Sequence, residues 1–211
     1  GNIITGNQGS GVHVEFSSSA FNSILCNSIS GNQGLGIDLR LYSNLDGVTA
    51  NDDQDPDSGP NNFQNFPELR WADSGSSSIG GSLNSTPSTT FLVQLFANAG
   101  CDASGYGEGE TWLGSTEVTT GPDGNVDFAV ITDVAFADGD YLTATATADD
   151  GSTSEFSECL QVSPATAVEG DGTPVARAAL HAAVPNPFNP STVIRYDVPS
   201  PGAHVRIVVY D

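Results

Sequence analysis

A motif that recurs after 25 residues restricts the fold of this chain more than any other feature. Residues 6–12 (GNQGSGV) return as residues 31–37 (GNQGLGI). The flanking Asn2, Ile4 and Val14 return at the same offset as Asn27, Ile29 and Leu39. Short β-branched segments between Gly and Asn turns, at this period, indicate a solenoid. We therefore predict that residues 1–45 are the C-terminal coils of a right-handed parallel β-helix, with the aliphatic side chains stacked inward.

The repeat pattern GNxIxGNxGxGI resembles the parallel β-helix repeats of secreted bacterial proteins, and the regular leucine spacing of leucine-rich repeats is absent. Two repeats leave their apolar stack open at the ends, so they cannot form a stable solenoid alone. The resemblance therefore implies that the chain opens within a longer helix and that the segment after the repeats covers its end.

Evenly spaced strands predict an antiparallel Ig-like β-sandwich over residues 71–163. Alternating side chains and turn residues place the strands at 90–98, 112–120, 125–132, 141–148 and 154–162. The stretches GYGEGETWLGS and DGSTSEFSEC in this region resemble domains that follow β-helices in large secreted bacterial proteins. The fold class predicted is all-β, with parallel β-helix coils followed by the sandwich and a partial second sandwich.

The C-terminal residues 180–211 predict a hairpin, with strands near 193–198 and 205–209 around a Pro/Gly turn. The preceding NPFNPST run resembles the start of the Ig-like domain of flagellar hook-capping proteins and of type IX secretion sorting domains. This resemblance implies a truncated sorting or anchoring domain that contacts the secretion machinery, and the simpler alternative is the entry to another β-sandwich. The sorting motif comprises Asn186, Pro187, Phe188, Asn189 and Pro190. Residues 164–179 lack periodicity and predict a flexible linker.

The charge of the chain excludes some partners. Asp and Glu total 26 against 5 arginines and no lysine, for a formal net charge of −21. Such a chain has no basic patch to neutralise phosphate, so we exclude nucleic acid and anionic membrane surfaces as partners. No stretch is apolar for the roughly 18 residues that a membrane span requires. The composition favours an extracellular location or the outer cell surface of a bacterium.

An acidic bridging loop, residues 46–70, connects the two predicted modules. Closely spaced carboxylates suit Ca²⁺, although the glycine and glutamate positions of an EF-hand loop are not matched. The alternative is a solvated acidic turn. The candidate calcium ligands are Asp52, Asp53, Asp55 and Asp57.

The three cysteines allow a disulfide. In an extracellular setting Cys101 and Cys159 are the candidate pair, because they lie near the two ends of one module. Cys26 is then expected to be buried and inert. The alternative is that all three thiols are free, since sequence alone does not fix connectivity.

The usual catalytic patterns are absent from the sequence, so we predict no catalytic residue in this chain. The histidines are scattered over separate modules, and no GxSxG elbow or CxxC pair occurs. The best local candidate for glycan contact combines two carboxylates with two aromatic rings, which suit sugar hydroxyls and sugar faces. The alternative is a glycine loop with the Trp in the sandwich core. The four residues are Tyr106, Glu108, Glu110 and Trp112.

Together these features predict a non-catalytic portion of a secreted or cell-surface modular protein that serves structural display, adhesion or glycan binding. The alternative is the tail of a secreted polysaccharide lyase or glycoside hydrolase whose catalytic coils lie upstream. The partners expected are the sorting machinery and a polysaccharide or other cell-surface ligand. Calcium is the one cofactor that the sequence suggests.

Overall fold

The computed structural model describes residues 1–41 and 47–163, together with the backbone of two short strands at 179–180 and 196–197. It is an all-β structure. The strands in chain order are β1 Ile3–Thr5, β2 Val12–Glu15, β3 Ser28–Ser30, β4 Ile37–Arg40, β5 Glu68–Asp73, β6 Ser78–Asn84, β7 Thr90–Asn98, β8 Thr111–Thr119, β9 Asn125–Ile131, β10 Tyr141–Ala148, β11 Leu160–Gln161, β12 Ala179–Leu180 and β13 Tyr196–Asp197. A 3₁₀ turn at Pro60–Phe63 precedes β5.

The strands of the repeats form two parallel pairs, β1 with β3 and β2 with β4. In these pairs Ile4 lies beside Ile29 and Val14 beside Leu39. The observed register is therefore the 25-residue offset of the sequence motif. We call residues 1–41 the repeat segment.

Residues 68–163 form two antiparallel sheets, which we call the two-sheet module. One sheet has the order β5–β6–β9 and the other has the order β11–β10–β7–β8. Thirteen buried apolar residues from both sheets and their loops share one core, among them Ile79, Phe91 and Leu142. Strand β5 begins at Glu68, inside the stretch that the sequence assigns to the bridging loop.

The two faces of strand β7 contact different parts of the protein. Phe91, Val93 and Leu95 are fully buried in the core of the two-sheet module. Phe96, on the opposite face, belongs instead to a second apolar cluster with residues of the repeat segment. The four-stranded sheet is therefore covered on both faces.

The chain divides into two compact units, Gly1–Ala165 and Thr166–Asp211. In the second unit β12 and β13 pair antiparallel, with Leu180 opposite Tyr196. The predicted sorting motif at 186–190 and the predicted strand at 205–209 lie outside the described residues. Within the described part of the chain, no helix is long and apolar enough to cross a membrane.

Candidate functional site

Many side-chain hydrogen bonds connect the repeat segment to the two-sheet module. A strand at the edge of a sheet presents unpaired N–H and C=O groups, which need partners when they are covered. The second repeat has such an edge on the side of the module. We call the surface that covers this edge the capping face, and it comprises Asn61, Gln94, Phe96, Glu108, Gly109, Thr153, Glu155 and Phe156.

Side chains and one backbone group of the capping face accept hydrogen bonds from seven backbone N–H groups of the repeat segment. Gly109 pairs with the edge of strand β3 and exchanges two backbone hydrogen bonds of 2.8 Å with Ile29. The backbone donors that the capping face satisfies are those of Asn22, Ile24, Cys26, Ile29, Gly31, Asn32 and Leu39.

Asparagine side chains connect the two repeats in a regular way. The backbone N–H and the side-chain amide of Asn2 both donate to Asn27 Oδ1, at 3.0 Å each. Asn7 does the same to Asn32 Oδ1, at 3.1 and 2.8 Å. Each asparagine thus uses one oxygen of its equivalent in the next repeat to satisfy two donors.

Glu108 continues this asparagine ladder from outside the repeats. Its Oε1 accepts the backbone N–H of Asn32 at 3.1 Å and the side-chain amide of Asn32 at 2.7 Å. Its Oε2 accepts a hydrogen bond from the N–H of Gly31. Glu108 Oε1 therefore accepts the same two hydrogen bonds from Asn32 that Asn32 Oδ1 accepts from Asn7.

Glu155 forms hydrogen bonds at the end of the second repeat. It is only 2% exposed, and its two oxygens accept the N–H groups of Leu39 and Thr49 at 2.8 Å each. The pKa of Glu155 is raised to about 8, chiefly by burial and to a smaller extent by the nearby charge of Asp38, against the opposing effect of the two N–H donors. One carboxyl thus connects the last repeat strand to the chain that leaves it.

Phe156 closes the apolar stack of the repeats. It lies edge to face against Phe96, with ring centroids 5.3 Å apart, and both rings pack with Ile29, Ile37 and Leu39. A Cβ atom at Gly36 or Gly109 would come within 2.7 Å of the Phe156 ring. The two glycines therefore permit a close approach that any larger residue would obstruct.

The disulfide joins the two segments that carry most of the capping face. Cys101 and Cys159 are bonded, with Cα atoms 6.0 Å apart, and they are the pair that the sequence suggested. Cys101 precedes Glu108 and Gly109, while Cys159 follows Thr153, Glu155 and Phe156 in the chain. Cys26 was expected to be buried, but it is exposed and forms no disulfide. It lies in a bend outside the strands, and its N–H and its Sγ both bond to the side-chain amide of Gln94.

The predicted glycan residues have separate environments. Glu108 is engaged by the repeat segment, and half-buried Trp112 packs against the repeat cluster rather than in the core of the two-sheet module. Glu110 is exposed and accepts the N–H of Ala99 at 3.3 Å. The rings of Tyr106 and Phe66 form a T-shaped pair, with centroids 5.6 Å apart.

The acidic loop brings three of its four predicted ligands together. Carboxylate oxygens of Asp52, Asp55 and Asp57 all lie within 4.8 Å of one another, whereas Asp53 is outside this group. Burial raises the pKa of Asp55, and burial together with the charges of Asp52 and Asp55 raises the pKa of Asp57 to about 6. The arrangement therefore concentrates negative charge that a cation would stabilise.

Asp55 is held in place by its neighbours. Its Oδ2 accepts hydrogen bonds from Ser85 Oγ at 2.6 Å, Gln64 Nε2 at 2.9 Å and the N–H of Asn65 at 3.2 Å. Its Oδ1 is buried and has no hydrogen-bond partner among the described residues. Sequence reasoning found these carboxylates by their spacing, but it missed Glu108 as an acceptor for the repeats and missed Glu155 altogether, because each is bonded to residues 76 or more positions away.

No family model matches this chain, and no curated protein matches it. Among solved structures, one chain described as a biofilm-associated protein BSP domain is similar, with 25% sequence identity and a TM-score of 0.35. The match covers 49% of this chain and 15% of that chain. A TM-score this low supports no conclusion about the function of the present protein.

Proposed function

We propose that residues 1–163 are the end of a right-handed parallel β-helix and its cap, in a non-catalytic secreted or cell-surface protein that displays a rigid surface for adhesion or glycan binding. The observation that carries this proposal is the ladder from Asn7 through Asn32 to Glu108, in which a carboxylate outside the repeats supplies the acceptor that a further repeat would supply. A rigid support with a closed end suits display.

The same interface explains why a cap is needed. An uncovered second repeat would expose both a row of unpaired N–H groups and the apolar stack formed by Ile29, Ile37 and Leu39. Exposed strand edges of this kind pair with other chains and aggregate. The capping face accepts the hydrogen bonds of these N–H groups, and Phe156 covers the apolar stack. The described end of the repeats therefore presents no open edge to another chain.

Hydrogen exchange tests the capping role. Replacing Glu108 by alanine removes a charged acceptor from the N–H groups of Gly31 and Asn32, so we expect these amides to exchange at least tenfold faster, a loss of about 1.5–3 kcal/mol of local stability. Glu117→Ala, at an exposed position of β8, is the matched control. Equal exchange in the two variants would contradict the proposal.

The role of the whole protein is tested on the full-length secreted form. It is incubated with neutral and acidic polysaccharides, and both binding and the release of new reducing ends are recorded. Binding without release supports display or adhesion. Release of chain ends would instead make the described residues the support of an upstream polysaccharide-degrading enzyme.

We propose in addition that the Asp52, Asp55 and Asp57 cluster binds Ca²⁺, which would stabilise the link between the repeats and the two-sheet module. Its support is the convergence of three carboxylates and the unpartnered, buried Oδ1 of Asp55. Because ligating carboxylates must be ionised, binding should weaken as the pH falls through the pKa of about 6 of Asp57.

The calcium proposal is tested by thermal unfolding with Ca²⁺ and with chelator. At a concentration of 100 times the Kd, Ca²⁺ should stabilise the wild type by about 2.7 kcal/mol. Asp55→Asn should abolish the difference, and Asp53→Asn, outside the cluster, should retain it. An unchanged melting temperature in chelator, or an equal effect of both variants, would leave only a solvated acidic turn.

For the C-terminal residues 180–211 we propose export and anchoring through the secretion sorting machinery, on the basis of the NPFNPST resemblance. Replacement of residues 186–190 by a Gly/Ser sequence should leave the protein inside the cell, measured as the secreted fraction. Normal secretion of this variant would favour an ordinary β-sandwich strand at that position.

A further inference from the structure

A polar groove runs across the turns of the two repeats. Its cavity measures about 750 Å³, within the range of known ligand sites. The walls come from the turns of both repeats, from β2 and β4, and from the loop at 102–104 of the two-sheet module. It is separate from the capping face and from the acidic cluster.

Two glutamines at equivalent positions line this groove. Gln8 and Gln33 are both exposed, and neither side-chain amide is hydrogen-bonded within the described residues. Their turns are bonded in register, since the N–H of Gln33 donates to Asn7 O at 3.0 Å. The two turns therefore lie side by side in successive repeats, and each contributes one amide with both donor and acceptor atoms to the groove.

The charges in the groove nearly balance, unlike those of the chain as a whole. Asp38 is only 2% exposed, accepts a hydrogen bond from Ser10 Oγ at 2.9 Å, and lies 3.8 Å from the guanidinium of Arg40. Arg40 also contacts His13, and Asp102 is a further acidic residue in the lining. A neutral ligand rich in hydroxyl groups suits this lining, whereas a polyanion would be repelled by the net charge of −21.

We propose that this groove binds a neutral polysaccharide, which lies along the repeat axis and bonds through its hydroxyl groups to the amides of Gln8 and Gln33. The proposal rests on the glycan-binding part of the proposed function and gives it a location and a ligand class. Asp38 and Ser10 form the floor of the groove and fix the position of Arg40. A polymer fits better than a single sugar because the two amides belong to successive repeats and the groove spans both of them.

Affinity electrophoresis of the full chain tests the proposal, with gels that contain dextran, xylan, β-glucan or galactomannan, and alginate as the acidic probe. The wild type should be retarded by at least one neutral polysaccharide, and Gln8→Ala/Gln33→Ala should bind it at least tenfold more weakly. Gln161→Ala, an exposed glutamine of β11 outside the groove, is the matched control and should bind normally.

Gln33→Glu is a second variant that keeps the side-chain volume and should weaken binding to a similar extent. Retention by alginate alone, retention by no neutral polysaccharide, or unchanged binding of the double variant would overturn the proposal. The exchange of the Gly31 and Asn32 amides, measured on the same samples, reports the capping role separately. Lost binding with slow amide exchange identifies the groove, and normal binding with slow exchange rejects the groove while the cap stands.

Discussion

The repeat segment and the two-sheet module are stabilised in different ways. The module has thirteen buried apolar residues of its own, drawn from both of its sheets and their loops. The buried cluster of the repeats has six members, and two of them, Phe96 and Phe156, belong to the module. The core of the repeats is therefore completed by side chains of the module, whereas the core of the module consists of its own residues.

The polar groups show the same asymmetry. Within the repeats, equivalent asparagines bond to each other at the 25-residue offset. In the part of the chain that the structure describes, the second repeat has no further asparagine of this kind beside it. The carboxylates of Glu108 and Glu155 in the module accept the hydrogen bonds of its N–H groups instead. We therefore expect the repeat segment to unfold before the module and to depend on it.

Removing the ring that closes the repeat core should have the largest effect. Phe156→Ala is expected to cost about 3–5 kcal/mol, because it opens a cavity beside Phe96 and uncovers the stack of aliphatic side chains. Hydrogen exchange should accelerate in β3 and β4 far more than in β9. Leu142→Ala, in the core of the module, should accelerate both regions, and the same pattern in both variants would contradict a dependent repeat segment.

Loss of the disulfide should follow in size. The Cys101–Cys159 bond closes a separation of 58 residues and holds both halves of the capping face, so replacing the two cysteines by serine should cost about 2–4 kcal/mol in unfolding free energy. The melting temperature of the double variant measures it. A Cys26→Ser variant, which removes the free and exposed thiol, is the control and should melt close to the wild type.

The stability of the capped end should depend on pH through Glu155. Its pKa is raised from 4.5 to about 8 in the folded state, so the folded protein holds a proton that the unfolded chain releases between these values. Stability should therefore fall as the pH rises through this window, by at most about 1.4 kcal/mol between pH 6 and pH 7. Below pH 4.5 this contribution is fully present.

Glu155→Gln is the variant that isolates this contribution, since it has a similar shape and no titration. Its unfolding free energy should change less steeply between pH 5 and pH 8 than that of the wild type. Denaturant titrations at several pH values give these free energies. If the unfolding free energy falls equally steeply with pH in the wild type and in Glu155→Gln, another group causes the dependence.

The smallest effect is expected at the surface of the module. Arg70 and Asp127 form an exposed ion pair of 3.0 Å on the three-stranded sheet. Exposed pairs contribute little, so Arg70→Ala should change the unfolding free energy by less than about 1 kcal/mol. A larger loss, seen also as faster exchange in the repeats, would mean that the two regions are coupled beyond the capping face.

The strands that follow simple rules could be predicted from the sequence. The repeat offset fixed the pairing of β1 with β3 and of β2 with β4, and alternation located β7 and β10 at the observed bounds. The sequence pattern does not predict β5 or β6; in β6, Gly80 and Gly81 interrupt the alternation, and the Trp71 ring of β5 packs closely on Gly80. The predicted strand 154–162 is reduced to Leu160–Gln161, since the preceding residues cover the repeats.

The second face of the four-stranded sheet shows what local pattern cannot reveal. Thr143, Thr145 and Thr147 alternate with apolar residues, which is typical of a face open to water, yet all three are buried. The hydroxyl of Thr143 bonds to the backbone of Glu108, which reaches over this face to the repeats. The hydroxyl of Thr147 lies 2.9 Å from that of Thr153, whereas that of Thr145 has no hydrogen-bond partner among the described residues. Only the tertiary structure shows that this face is covered.

The sequence by itself determined the local and periodic features of this protein: the all-β character, the 25-residue register and the charge. These follow from short-range rules, in which side-chain alternation and turn residues act over a few positions. The tertiary structure alone decided the roles of Glu108, Glu155 and Phe156, and the groove that Gln8 and the loop at 102–104 both line. Those contacts join residues far apart in the chain, and a carboxylate carries no local sign of which distant N–H groups it will accept.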